Sequence, residues 1–264
     1  QKIDEAAELS SNDLVIEVGA GLGILTTELV KKAGEVLAVE IDEKLAFILK
    51  QLFASASNVK IIRANIMEIT PGELLNQNAS KFTSNREFKV VANIPYYITS
   101  PIIRHFLEAP LKPRLMVLMV QKEVGQQIIA SPGKTNLLNL SVQLYARPEI
   151  VAKIPAGNFY PRPKVDSAIL RLEVYEKPRV REEGIQEFFH VARAGFSAPR
   201  KQIKNSLAQG LRIKLPEAAE ILYKAGISSE RRPQTLSFEE WVSLTDAFIK
   251  IKEKVIEDEN KSTG

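Results

Sequence analysis

The sequence predicts an α/β protein: a mostly parallel seven-stranded sheet with an antiparallel edge, followed by a small all-helical C-terminal domain. Three observations predict it. From 14 to 172, short β-branched or apolar runs alternate with helical patterns, as parallel strands joined by crossover helices require. The last two strand-like runs are joined by a proline-rich loop, 155–163, with no helical pattern, which suits an antiparallel edge pair. Beyond Val174 only helical patterns follow.

The strand-like runs are 14–18, 35–39, 59–63, 89–92, 115–120, 149–154 and 167–174, each rich in Val, Ile or Leu. Helical patterns fill 24–33, 43–54, 100–108, 122–130 and 137–145. Residues 175–183 are charged and contain Pro178, so they read as a linker. Four helical patterns then span 184–196, 200–209, 216–225 and 238–254, punctuated by Pro199 and Pro233. The polar tail 257–264 is expected to fray. The domains are therefore 1–178 and 179–264.

Composition narrows the chemistry. The chain has 264 residues, of which 45% are hydrophobic, enough for a sizeable core. It has no Cys, which excludes disulfides, thiolate metal sites and cysteine nucleophiles. With only His105 and His190, no structural zinc site is expected, and no metal is assigned. No apolar run is long enough to span a bilayer and no secretory signal opens the chain, so a cytoplasmic protein without membrane contact is expected. The net charge of +4 is mild, so clustering of charge matters more than its sum.

Two motifs carry the chemistry. The first, Glu17-Val18-Gly19-Ala20-Gly21-Leu22-Gly23, follows an apolar run. Its glycines let backbone N–H groups approach a ligand with no Cβ in the way. A dinucleotide fingerprint would place its third Gly where Ile24 stands, which argues against a nicotinamide cofactor. The turn resembles instead the S-adenosylmethionine turn of Rossmann-like methyltransferases, with Glu17 as its acid. Glu40, followed by Ile41, ends the next run and can accept bonds from both ribose hydroxyls. Asn65 and Ile66 follow the third run, where related enzymes carry an acid on the adenine amino group; the Asn65 carbonyl can accept that bond without charge. Three glycines can equally make a plain tight turn, and Glu40 a solvated strand-end acid; it is their combination with Glu17 that points to a cofactor.

The second motif, Asn93-Ile94-Pro95-Tyr96, follows the fourth strand-like run. Ligands of open α/β sheets bind beyond the carboxyl ends of the strands, so both motifs are expected to share one crevice. An adenine amino group is a poor nucleophile because its lone pair is delocalised. Accepting both of its N–H bonds, through the Asn93 oxygen and a backbone carbonyl held by Pro95, favours a more tetrahedral nitrogen. Tyr96 would stack on the base, and Phe159 on the later loop would stack on its other face. Arg162 and Lys164 add a phosphate-facing rim.

In this order, with Val39-Glu40-Ile41-Asp42, Gln121-Lys122-Glu123-Val124 and Phe159 to Ser167 (Phe-Tyr-Pro-Arg-Pro-Lys-Val-Asp-Ser), the motifs resemble the ribosomal RNA adenine dimethyltransferase family, most nearly its small-subunit (KsgA) type. The likeness covers nearly the whole chain. It implies a Rossmann-like domain, a helical RNA-binding domain, S-adenosylmethionine as cofactor, and dimethylation of two adjacent adenines in a small-subunit rRNA hairpin loop during ribosome assembly. It further implies a monomer whose partner is small-subunit rRNA or a pre-30S-type particle. Three positions depart from the family. Its Gln-Asn-Phe-Leu-type opening segment is not matched by Gln1-Lys2-Ile3-Asp4, so a late start is expected. Asn65 replaces an acid. Pro199-Arg200-Lys201 stands where Arg-Arg-Lys is common.

Arg193, Arg200, Lys201 and Lys204 cluster near the start of the helical domain, the last three on one expected helix flank, and Arg231-Arg232 form a second cluster. They read as an RNA-backbone surface or, more plainly, as a solvated face. A large-subunit methyltransferase of the antibiotic-resistance kind shares the catalytic motifs but usually lacks the full Pro-x-Pro-Lys-Val-Asp-Ser run. A nucleic-acid-binding transcription factor of this fold is the other alternative, disfavoured by the intact Asn93–Tyr96 motif.

Overall fold

A computed structural model describes residues 2–79, 87–158 and 163–262, with side chains described to residue 254. The chain divides into two compact units. One comprises Gln1–Ile129 and Tyr145–Lys177; the other comprises Ala130–Leu144 and Pro178–Gly264. Where the sequence reading kept 137–145 with the sheet, nearly all of that helix groups with the helical unit.

The first unit runs α1 (Lys2–Ala6), β1 (Leu14–Val18), α2 (Ile24–Lys32), β2 (Glu35–Glu40), α3 (Glu43–Leu52), β3 (Val59–Arg63), α4 (Pro71–Asn78), β4 (Lys89–Asn93), α5 (Thr99–Leu107), β5 (Leu115–Gln121) and α6 (Lys122–Ile128). After α7 (Leu137–Tyr145) it resumes with β6 (Ala146–Ile154) and β7 (Ser167–Val174). The sheet order is β3-β2-β1-β4-β5-β7-β6, parallel through the first five strands, while β7 pairs antiparallel with both β5 and β6. β1, β2, β4 and β5 are buried almost end to end, because helices cover both faces of a parallel sheet. At the edge, β6 alternates half-buried and exposed residues after buried Ala146, carries Pro148 and shifts register between Ile150 and Ala152.

Two features of this topology make a site. The strand order reverses between β1 and β4, so the segments leaving those strands diverge and open a crevice at their carboxyl ends. Because β7 runs antiparallel, its first residue, Ser167, pairs with Gln121 at the end of β5 and so lies at that same edge.

Local signals fix the flanking helices. Asp42 caps α3, its Oδ1 accepting from the N–H groups of Lys44 and Leu45. Thr70 and Glu73 form a capping box at α4, with Pro71 in the first turn, in a stretch without a helical pattern in the sequence reading. Lys89, the first residue of β4, is buried. Its Nζ donates to the carbonyls of Ala7 (3.0 Å) and Glu8 (2.8 Å) and pairs with Asp13 at 3.1 Å.

The second unit holds α8 (Ile185–Gly195), α9 (Ile203–Leu211), α10 (Leu215–Lys224) and α11 (Phe238–Ser262) around buried Trp241, Phe188, Leu207 and Leu222. The helix of α11 continues into the tail expected to fray. Gly195 abuts Trp241: a Cβ there would lie 2.8 Å from Cζ3 and nearer still to Cη2. The 130–144 segment is tied in through the Thr135 hydroxyl, which donates to the Leu236 carbonyl (2.8 Å), and the Gly133 N–H, which donates to Gln234 (2.8 Å). Among the described residues no helix is long and apolar enough to cross a membrane.

Candidate active site at the strand carboxyl ends

The turn after β1 carries three glycines at positive φ: Gly19 at 72°, Gly21 at 58° and Gly23 at 80°. They serve two purposes. Among the described residues a Cβ on Gly19 would meet nothing within 4 Å, and one on Gly21 only the Gly19 carbonyl at 3.9 Å; both line the crevice and leave it open. A Cβ on Gly23 would lie 2.8 Å from Leu49 Cδ2 and 3.0 Å from Phe53 Cε2, so this glycine seats the turn on α3. Ala20 is buried behind the turn and does not line the crevice.

Glu40 holds the turn in shape. Its Oε2 accepts the Gly21 N–H at 2.8 Å and its Oε1 the Asp42 N–H at 2.9 Å, and the residue faces the crevice beside Ile41. Each oxygen keeps a further lone pair for a ligand.

Glu17 is placed differently. It is 1% exposed and does not line the crevice. Thr26 is the polar group that faces it, yet no hydrogen bond of ordinary geometry satisfies either carboxyl oxygen among the described residues. Burial pushes its carboxyl up to about 7, helped by the charge of Glu40 and opposed by Thr26.

Asn65 and Ile66 form the far wall. On the near wall, Asn93 ends β4 with its side chain exposed, Ile94 is 2% exposed and anchors the strand, and Pro95 leads into a single turn, Tyr96–Ile98, closed by the Ile98 N–H on the Pro95 carbonyl at 3.2 Å. The Tyr96 hydroxyl hydrogen-bonds Ser167 Oγ at 2.8 Å, which fixes the ring. Pro163 lines the same crevice, whose volume is about 720 Å³. That size suits a nucleoside-sized cofactor.

The structure thus brings Gly19, Gly21, Glu40, Ile41, Asn65, Ile66 and Asn93 to Tyr96 around one cavity. Phe159 and Arg162 lie outside the described residues. Lys164 is exposed in the sheet-bearing unit. In the helical unit Arg193 is exposed on α8, while Arg200 and Lys201 are exposed in the turn before α9, not on its flank as expected, because α9 begins only at Ile203. Lys204 alone of those three is helical. Arg231 is committed internally: its guanidinium pairs with Glu240 and donates to the Thr235 carbonyl at 2.6 Å. That removes it from the expected second basic cluster.

Sequence reasoning missed Ser167 as the support of Tyr96, and Leu45, Met67, Tyr97 and Ile98 as cavity wall. The signal available was position, since each stands next to a strand-end motif. It also left Asp166 unexplained. Asp166 Oδ1 accepts the Ala156 N–H at 3.0 Å and its carbonyl accepts the Lys122 N–H at 3.0 Å, closing the base of the proline-rich loop. No cluster of three or more His, Asp or Glu suited to a metal occurs among the described residues.

A family model described as ribosomal RNA adenine dimethylase matches residues 1–250. The chain is 48% identical over 245 residues to a ribosomal RNA small subunit methyltransferase A of Dehalococcoides mccartyi, covering 92% of this chain and 81% of that protein. It is 40% identical over 251 residues to the protein so named in Moorella thermoacetica, covering 93% and 86%. Among solved structures it is similar to the 23S rRNA methyltransferase ErmE, with a TM-score of 0.71 and 27% identity over 93% of this chain and 95% of that one. It shares its fold with a dimethyladenosine transferase from Plasmodium falciparum, at a TM-score of 0.76 and 23% identity over 94% of each chain. On this match of nearly its full length, the chain belongs to the ribosomal RNA adenine dimethylase family.

Proposed function

We propose that this protein transfers methyl groups from S-adenosylmethionine to N6 of two adjacent adenines in a small-subunit rRNA hairpin loop, in the cytoplasm, during assembly of the small ribosomal subunit. The observation that carries the reading is that Asn93 and the open glycine turn face one cavity across the switch point of the sheet.

The cavity residues fit the cofactor. Gly19 and Gly21 present backbone with no side chain above it, Glu40 offers acceptors to ribose hydroxyls, Ile41 and Ile66 give apolar surface for a purine, and Asn65 supplies an acceptor at its edge. When bound, S-adenosylmethionine supplies a methyl group already activated on a sulfonium sulfur.

The chain's own work is then positioning. Asn93 Oδ1 and the Ile94 carbonyl, held by Pro95, accept the two N–H bonds of the adenine amino group and localise its lone pair toward the cavity. Tyr96, pinned through its hydroxyl by Ser167, presents its ring to the extruded base. Phe159 is assigned the opposite ring face on the family resemblance. Arg162, Lys164, Arg193, Arg200, Lys201 and Lys204 are proposed to contact RNA phosphates, and the region 179–264 to act as the RNA-binding domain of a monomer.

The test is Asn93→Ala. S-adenosylmethionine binding should stay within a few-fold, while transfer of labelled methyl groups to unmethylated small subunits falls by about a hundred- to a thousandfold. Mapping the labelled nucleotides identifies the target. Full activity of the variant would refute the assigned role. If the unmodified protein labels large subunits offered in parallel and leaves small subunits unlabelled, the alternative represented by the 23S enzymes is favoured.

A further inference from the structure

Both ends of the Asn65 amide are engaged. Oδ1 accepts the Met67 N–H at 3.1 Å and so caps the single turn Ile66–Glu68. Nδ2 donates to Glu68 Oε1 at 2.8 Å. The two bonds agree on which end of the amide is oxygen, since neither the Met67 donor nor the Glu68 carboxylate tolerates the flipped amide. Residues three apart stack in such a turn, which brings the side chains together. Asn65 faces the cavity; Glu68 does not and is exposed.

We infer that Glu68 is a positioning residue: it locks Asn65 as a hydrogen-bond acceptor, so that the cavity selects a purine with an exocyclic 6-amino group over one with a 6-oxo group. The inference rests on the proposed reading of this cavity as an adenosyl site. An amide alone reads either edge, because rotation by half a turn exchanges acceptor for donor. A 6-amino group needs the oxygen and a 6-oxo group needs the NH2. Glu68 adds to the Met67 N–H in excluding the second arrangement, which would set the amide oxygen against a carboxylate and the NH2 against a donor. Its charge also polarises the Nδ2–H bond and shifts electron density onto Oδ1, strengthening the acceptor. A carboxylate outside the cavity thereby acts on the purine edge through a neutral side chain.

The experiment measures dissociation constants of S-adenosylhomocysteine and its 6-oxo counterpart, S-inosylhomocysteine, on the intact protein and four variants. Glu68→Ala should cut the preference for the amino compound by about tenfold, the scale of one hydrogen bond. Glu68→Gln, which still offers an acceptor to Nδ2, should retain most of it. In Asn65→Asp the Nδ2 donor is gone and Glu68 faces a like charge, so adding Glu68→Ala should tighten S-adenosylhomocysteine binding. Simple damage to the turn does not produce that reversal of sign. An unchanged preference in Glu68→Ala, or weakened binding in the double variant, overturns the inference. If the unmodified protein fails to bind S-adenosylhomocysteine, the cofactor reading falls, and this inference with it.

Discussion

Glu17 offers a sharp test because its cost depends on pH in one direction. The carboxyl is 1% exposed, lacks an ordinary hydrogen bond among the described residues, and is pushed up to about 7 from the usual 4.5. A native carboxyl harder to ionise than the unfolded one binds the extra proton in the folded state, so stability falls as pH rises between the two values. Below pH 4.5 no penalty applies, and above about 7 it is complete. At 1.36 kcal/mol per unit, the shift amounts to about 3 kcal/mol. Glu17→Gln removes the ionisation but keeps the shape and leaves an amide to bury. Urea unfolding of both proteins should therefore give a stability difference that moves by about 3 kcal/mol in favour of the variant between pH 4.5 and pH 8. Taking the difference cancels the other titrating groups, including Asp13, whose hydrogen bonds from Ser10 and Lys89 hold it below the usual carboxylate range despite burial. A difference that is flat with pH, or that grows in favour of the wild type, would show that Glu17 is already stably ionised in its buried setting.

Other expectations follow from the same geometry. Lys89→Met takes one partner from half-buried Asp13 and from the Ala7 and Glu8 carbonyls and should cost about 3 kcal/mol, read as a fall in the urea midpoint; an unchanged midpoint contradicts the role of this lysine. Gly195→Ala drives a methyl group into the Trp241 ring, which is fully buried, and should cost about 1–3 kcal/mol in the same assay. Ser167→Ala frees the Tyr96 ring and should lower methyl transfer by about tenfold while cofactor affinity holds. Arg200→Ala with Lys201→Ala should weaken RNA binding most at low salt and flatten the dependence of log affinity on log salt by roughly 1.5; an unchanged slope removes both residues from the RNA surface.

The strands were legible because a doubly covered parallel sheet writes its burial directly into continuous apolar runs, as at Leu14–Val18 and Leu115–Gln121. Helix α4 was not, since Pro71-Gly72 reads as a breaker; Thr70 and Glu73, three apart, were the available signal. The start of α9 shifted because the chain first makes a turn, closed by the Lys201 N–H on the Ala198 carbonyl. Grouping of 130–144 with the helical unit depends on bonds to residues about a hundred positions later, such as Thr135 to Leu236, which no local pattern encodes. At the site, spacing identified which residues follow which strand but not the face each side chain takes. Hence Glu40 lines the cavity, whereas Glu17 lies buried away from it.

The excursion of residues 130–144 has a practical consequence. The polypeptide crosses from one unit to the other three times, near 129, 144 and 177. Cleavage after Lys177 therefore cannot yield two self-sufficient halves: the N-terminal fragment would keep buried Leu140, Val142 and Leu144 without their partners, and the C-terminal fragment would lack an internal piece. The helical unit is thus not a detachable appendage, and dissection by truncation should give insoluble or interdependent fragments that recover structure only when mixed.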